Sequence, residues 1–214
     1  MYFDAIRDGL EKCGRIMHGG TIVNATIIAA PSSTKNAFRE RDPEMHQTQK
    51  GNQWHFGMKM HAGVDAGTGY IHTITATTAN VHDVDQAAEL IREDDTVVYG
   101  DAAYLGIEKR DEVRNDPNKS AIDYRINLRP GKVNALADGP AKDWFHIMEH
   151  QKSAVRCKVE HVFQLLKSRF DYSKVRYRGI EKNLSCLYMI CGSINLWFVA
   201  TSGGWHRPTD AVCG

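Results

Sequence analysis

The sequence predicts an α/β domain with a mixed sheet, and three observations predict it. Apolar and β-branched runs of strand length, bounded by glycine, proline and polar turns, recur through the first hundred residues. Two of these runs are joined by "DAGTG" (65–69), a strong hairpin signal. The last third is apolar at helical spacing instead. Strand, long loop, hairpin, helix, strand, insertion and helices, in that order, describe an α/β domain of mixed strand order. A chain of 214 residues with 42% hydrophobic and 25% charged residues is of ordinary globular composition and large enough for one continuous core.

Taken in order, "MYFDAIRDGLEKCG" opens the chain as an amphipathic helix from about Phe3 to Cys13, not as a signal peptide. "TIVNATIIA" (21–29) is a buried strand that ends before Pro31, and its one amide, Asn24, needs an explanation, because an unpartnered buried amide costs about 1–3 kcal/mol. Residues 31–53 are polar and turn-rich, which predicts a long loop. "WHFGMKMHAGV" and "YIHTITATT" are the strands of the hairpin. "HDVDQAAELI" is expected to be helical, with Asp83 as N-cap, Gln86 three residues on, and Val84, Ala87, Ala88 and Ile91 on one face. "TVVYGD" is a short buried strand. Residues 104–150 hold a helix after Gly106, a strand at "AIDYRINL" and a polar stretch with Pro130, Gly131, Gly139 and Pro140. Residues 184–200 carry no charge, but Ser185, Gly192, Ser193 and Asn195 interrupt them and they fall short of the roughly 20 residues a spanning helix needs. They predict a buried packing helix and no membrane. Five cysteines without a Cys-x-x-Cys suggest reduced thiols in a cytosolic protein.

Net charge is only +1, so the total does not argue for a polyanionic partner, but its distribution is polarised. Residues 83–101 hold seven acids against one base, and residues 150–182 nine bases against three acids. Such a chain can set an acidic, metal-attracting site beside a basic surface, although solvated faces produce similar runs. Within the acidic stretch, "VVYGDAAYLG" presents Asp101 where a strand ends, the place where functional groups gather in open α/β sheets. The alternative is an aspartate that caps the following turn. Within the basic stretch, Val155, Val159, Val162 and Leu166 define a buried helical stripe. Arg156, Glu160 and Lys167 fall within roughly 40° of one another beside it. The alternative is an ordinary Arg156–Glu160 i,i+4 pair on a solvated face. Two carboxylates so placed suit a hard divalent cation, and two-metal phosphodiester chemistry asks for a third acid, to be sought in the first strand.

"GTIVNATIIAAPSSTKN", "RDPEMHQTQKGNQWHFGMKMHAGVDAGTGYIHTITATTANVHD", "VVYGDAAYLGIEKR" and "VRCKVEHVFQLLKSRFDYSKVRYRGIEKN" resemble the DDE transposases of bacterial insertion sequences, in the group marked by a Tyr-x2-Arg-x3-Glu-x6-Lys signature. The resemblance runs from about Gly20 to Trp197. It implies a ribonuclease-H-like α/β fold, a mixed sheet flanked by helices with an insertion before the last catalytic helix. The catalytic domain then spans about 20–200 with the insertion at 104–150, preceded by a helical remnant (1–19) and followed by a tail (201–214). Asp101 matches the second acidic ligand of the catalytic metals and Glu160 the third. Arg156 and Lys167 match the signature's cations, whereas Ser153 replaces its tyrosine. Asn24 stands where the first aspartate belongs, so this copy is expected to be strongly impaired or inactive; the nearest spare acid, Asp65, lies in the hairpin turn and is expected to point away. The short N-terminus suggests a truncated copy.

The resemblance further implies Mg²⁺ (or Mn²⁺) as cofactor, double-stranded DNA as partner, a homodimer in the DNA complex, and a cytoplasmic, nucleoid-associated location. Water would cut the transposon end to leave a 3′-hydroxyl, which would attack target DNA in the same site. Lys158, Arg169, Lys174, Arg176 and Arg178, with Arg156 and Lys167, would hold phosphates, and Tyr172 and Tyr177 are available to stack on a base. Two other functions stand beside this one. The chain could be a DNA-binding remnant without catalysis, which Asn24 favours. Alternatively "HIMEH" (His146, Glu149, His150) matches an inverted zinc-peptidase pattern, although no third ligand is evident.

Overall fold

A computed structural model describes residues 1–37 and 39–201. Six strands form one sheet: β1 (Gly20–Ala29), β2 (His46–Lys50), β3 (Gln53–Asp65), β4 (Ile71–Thr78), β5 (Val97–Gly100) and β6 (Asp123–Ile126). β1 is its axis. It pairs antiparallel with β3 along its whole length, from Thr21 opposite Asp65 to Ala29 opposite Gly57, and parallel with β5 over Gly20–Ile22. β5 is parallel to β6. β4 borders the inner half of β3 and β2 its outer end. Three parallel strands beside an antiparallel hairpin are the mixed α/β sheet that the sequence predicts, and this arrangement is ribonuclease-H-like.

The helices are α1 (Tyr2–Lys12), α2 (Ala87–Leu90), α3 (Asp111–Arg114), α4 (Pro117–Ser120), α5 (Pro130–Asn134), α6 (Pro140–Gln164) and α7 (Ile180–Ala200). Alternation along the strands divides the sheet into two faces. Ile22, Ile28, Met58, Met60, Ala62 and Val64 meet Val159, Val162 and Leu166 of the α6 segment together with Leu187 and Ile194 of α7. Val23 and Val98 meet Leu90, Tyr104, Ile107 and Val113 on the other side. α1 lies on α7, where a Cβ at Gly192 would come within 2.8 Å of the Tyr2 ring.

α7 is long and apolar enough to cross a membrane by composition, yet it packs on β4 and α1. Its Asn195 is fully buried and grips the edge strand: Nδ2 donates to the Ile71 carbonyl at 2.8 Å, and Oδ1 accepts from the Ile71 amide at 2.9 Å. An edge strand covered in this way has no free template for pairing with another chain at that point.

Four expectations change. The long loop 31–53 contains β2, hidden because "HQTQK" carries no apolar alternation; it returns into β3 through Gly51, whose φ of 60° a two-residue hairpin turn requires. The helix at 82–91 is a 3₁₀ turn (Asp83–Gln86) followed by the single turn of α2. Asp83 does not cap it: the carboxylate is drawn instead to Lys59 at 2.8 Å, and the N-cap is His82. β6, inside the stretch 104–150, belongs to the main sheet, so part of that stretch is framework. Lastly, α6 passes into a π-helical turn at Leu165–Arg169, which shifts Lys167 from a regular 3.6-residue line. The 201–214 tail lies outside the described residues beyond Thr201.

Candidate active site

The parallel registers build the site. Ile22 pairs with Tyr99, and two residues further along both strands Asn24 comes opposite Asp101. Gly100 pairs with Ile126, and one residue further Asn127 comes opposite Asp101 on its other side, its amide donating to the Gly100 carbonyl at 2.9 Å. Three polar residues therefore stand abreast where three parallel strands end, the position at which an open α/β sheet parts into a crevice.

Asn24 is half-buried and lies across from Ala62, whose side chain is packed on the α6 face, so Asn24 projects to the α6 side. Its Oδ1 accepts from the Ala25 amide at 2.8 Å. With Asp101 it lines a cleft of about 250 Å³ that also takes in Thr48, Lys50, Lys59 and Asp83. Asp101 both caps and faces the cleft: one oxygen accepts from the Ala103 amide at 2.8 Å. The capping alternative is thus true as well, and it uses one oxygen of the carboxylate. Asp101 borders a second, larger cavity of about 900 Å³ with Asn127, His146, Glu149, His150, Ser153 and Arg156.

α6 packs against β1, β3 and β5 through Val159, Val162 and Phe163. Arg156 lies nearly buried on it and donates to Glu160 at 2.7 Å, while the Glu160 side chain remains 55% exposed. The i,i+4 pair is therefore formed, and its cation borders the cavity that Asp101 lines. Lys167 is half-buried; loss of hydration pushes its ammonium pKa down and nearby Lys50 adds to the effect. Lys50 is the cleft cation that sequence reasoning missed, because β2 read as loop.

Asn24, Asp101 and Glu160 offer only hard oxygen donors, the type that Mg²⁺ and Mn²⁺ prefer, but one negative charge fewer than three carboxylates. Among the described residues no three His, Cys, Asp or Glu side chains are grouped to hold a metal ion; Asn24 and Asp101 share one cleft, whereas Glu160 lines neither cavity. Asp65 does not fill the gap: it is buried at the far end of the β1–β3 pairing, accepts from Thr68 at 2.7 and 2.8 Å, and lies 3.5 Å from Arg92.

The expected DNA contacts divide in two. Lys158 is committed to the fold, its ammonium donating to the hairpin-turn carbonyls of Ala66 and of Gly67 (3.0 Å). Tyr172 is fully buried with its hydroxyl on Asn183 at 2.8 Å, so it cannot stack on a base. Arg169 lies 5.0 Å over the Trp197 ring. Arg176 donates to the Phe170 and Asp171 carbonyls, and Arg178 pairs with Glu40 at 2.5 Å. Lys174 is exposed, and Tyr177 is 51% exposed. The segment carrying the last four is fixed from below by buried Asn183 and from the side by Asp42 and Glu44, which accept from the Gly179 and Ile180 amides at the entry to α7 at 2.7 Å.

In "HIMEH", Glu149 is drawn inward. Its carboxylate accepts from Asn127 (2.8 Å), Leu128 (2.9 Å) and Lys152 (2.8 Å). Burial raises its pKa, but these hydrogen bonds more than offset that and leave it below the usual carboxylate value.

The ribonuclease-H-like sheet thus carries a polar row at its strand ends, and a helix sets Arg156 beside that row. The family described as "Transposase DDE domain" matches residues 16–196, most of the chain, and the chain belongs to that family. Its members act on DNA, cutting and joining strands with divalent metal ions.

Proposed function

We propose that this chain is the DNA-cutting and strand-transfer domain of an insertion-sequence transposase, impaired by Asn24 in place of the first acidic ligand. The observation that carries the proposal is the row Asn24–Asp101 at the parallel strand ends, with Arg156, the partner of Glu160, lining a cavity that Asp101 borders.

In this reading Asp101, Glu160 and the Asn24 carbonyl would hold Mg²⁺ (or Mn²⁺). When bound, the metal stabilises charge on the attacking and leaving oxygens of a phosphodiester. Asn24 contributes an oxygen without the charge that offsets the metal's dehydration, which is the physical reason for impairment. Arg156 holds Glu160 and shares its charge. Lys50 and Lys167 lower the cost of bringing a phosphate into the cleft, and Lys174, Arg176, Tyr177 and Arg178 form the outer contact to duplex DNA, with Arg169 beside them. Two copies would assemble on paired transposon ends, in the bacterial cytoplasm.

A second reading, a DNA-binding protein without catalysis, is favoured by the same Asn24. Mg²⁺- or Mn²⁺-dependent nicking of supercoiled DNA separates the two. Little or no nicking by the chain as it stands is expected, with a gain of about 100-fold in Asn24→Asp, the scale of one positioned electrostatic group. Replacing Glu160 by Gln in that background is expected to abolish the gain. Equal nicking with Asn and Asp at residue 24 would refute the assignment of Asn24; no nicking in either would favour the non-catalytic reading.

A further inference from the structure

We propose that Asn127 is a positioning residue of the site: its side-chain amide holds the Arg156 guanidinium against the cavity that Asp101 lines, and through it orients the Glu160 carboxylate. This rests on the reading above and adds to it a residue that the transposase resemblance did not single out.

Asn127 is 92% buried at the end of β6, directly beside Asp101 in the register. Its surroundings determine which way the amide points. Nδ2 faces two oxygens that can only accept, the Glu149 carboxylate at 2.8 Å and the Glu149 carbonyl at 3.2 Å, with the Ser153 hydroxyl at 3.3 Å. Oδ1 is left toward Arg156, whose Nη1 donates to it at 3.4 Å. Arg156 then reaches Glu160 through Nη2 at 2.7 Å. Its remaining inner donor, Nε, is buried and has no hydrogen-bond partner. Lys152 completes the frame, joining Glu149 to the Ile126 carbonyl.

The amide does more than fill space. Glu149 and Arg156 line the same cavity, and Glu149 is satisfied there by Asn127, the Leu128 amide and Lys152. Arg156 therefore serves Glu160. Without the amide, the guanidinium loses its hydrogen bond to the end of β6, and the Arg156–Glu160 pair is no longer tied to the sheet. Outer-shell groups that orient ligands in this way typically change metal affinity by about 10- to 100-fold when removed, and small displacements of catalytic groups can cost about 100-fold in rate.

The test uses the full chain. Two-dimensional NMR of the arginine Nε–H groups, with Arg156→Lys to assign the signal, is expected to show the Arg156 resonance displaced in Asn127→Ala, as in Glu160→Gln, with thermal unfolding still cooperative. Asn127→Asp, which keeps the size but sets a carboxylate on Arg156, is expected to displace it too. In an Asn24→Asp parent, Asn127→Ala is expected to weaken Mn²⁺ binding about tenfold and lower kcat for nicking with little change in KM for DNA. An Arg156 signal unmoved by both substitutions, with Mn²⁺ affinity and nicking within twofold of the parent, overturns the proposal. If the parent neither binds Mn²⁺ nor nicks while the Arg156 signal does move, the catalytic reading fails and the positioning role stands.

Discussion

Asn24 and Asn195 are both amides set in apolar elements, and they do opposite things. Asn195, in the α7–β4 seam, uses both ends of its amide on the backbone of Ile71 and is fully buried. Asn24, at the β1–β5 end, uses one oxygen on the next amide of its own strand and otherwise faces a cleft shared with Asp101 and two lysines. A polar group that the fold needs has its hydrogen-bonding capacity matched by the fold. One that a ligand needs keeps capacity in reserve, at a place where the sheet opens. The same contrast separates Lys158, whose ammonium is bound to two carbonyls, from Lys174, whose exposed ammonium has no hydrogen bond shown among the described residues.

The largest effect should come from breaking the satisfied side. Asn195→Leu strands two backbone groups of β4 and is expected to lower stability by about 2–4 kcal/mol in urea unfolding, with Mn²⁺ binding unchanged. Next is acid sensitivity. Burial lowers His61 from 6.5 to about 4, with Asp83 opposing and Lys59 assisting. Because the folded state resists protonation that the unfolded state accepts, stability present above about pH 6.5 is lost as pH falls toward 4, by up to about 3 kcal/mol. His61→Gln should flatten that part of the pH–stability curve; an unchanged slope would show that His61 is not the group. Lys158→Met is expected to cost about 1–2 kcal/mol while leaving the salt dependence of DNA binding unaltered. Lys174→Ala, the smallest effect on the fold, should change stability by less than about 0.5 kcal/mol yet reduce the slope of log affinity against log salt by about 1. Reversal of these two lysines would break the contrast.

β1, the 65–69 hairpin, β5, α7 and the later part of α6 were legible because strand alternation, "DAGTG" and helical spacing are local signals, whereas α6 already begins at Pro140, inside the stretch read as polar. β2 was not, since a strand of polar residues is recognised only by its partner β3. The 82–91 helix was overestimated because Lys59, distant in sequence, pulls Asp83 off the cap. Tyr172 and Lys158 were misjudged for a related reason: their burial is decided by Asn183 and by the hairpin turn. Among the candidate site residues, Asp101, Arg156 and Glu160 stood out by residue type and spacing, and Asn24 as the one amide in an apolar strand. Asn127 carried the same signal as Asp101, a polar residue at the end of an apolar strand, but only the register reveals that they are neighbours.

Calorimetric titration with Mn²⁺, comparing the chain with Asn24→Asp and with Asn24→Asp/Glu160→Gln, is the most direct measurement. About tenfold tighter binding in the single variant, lost again in the double, is expected if strand end and helix share one metal site missing one charge. Affinity indifferent to residue 24, or a gain that survives the loss of Glu160, would contradict it.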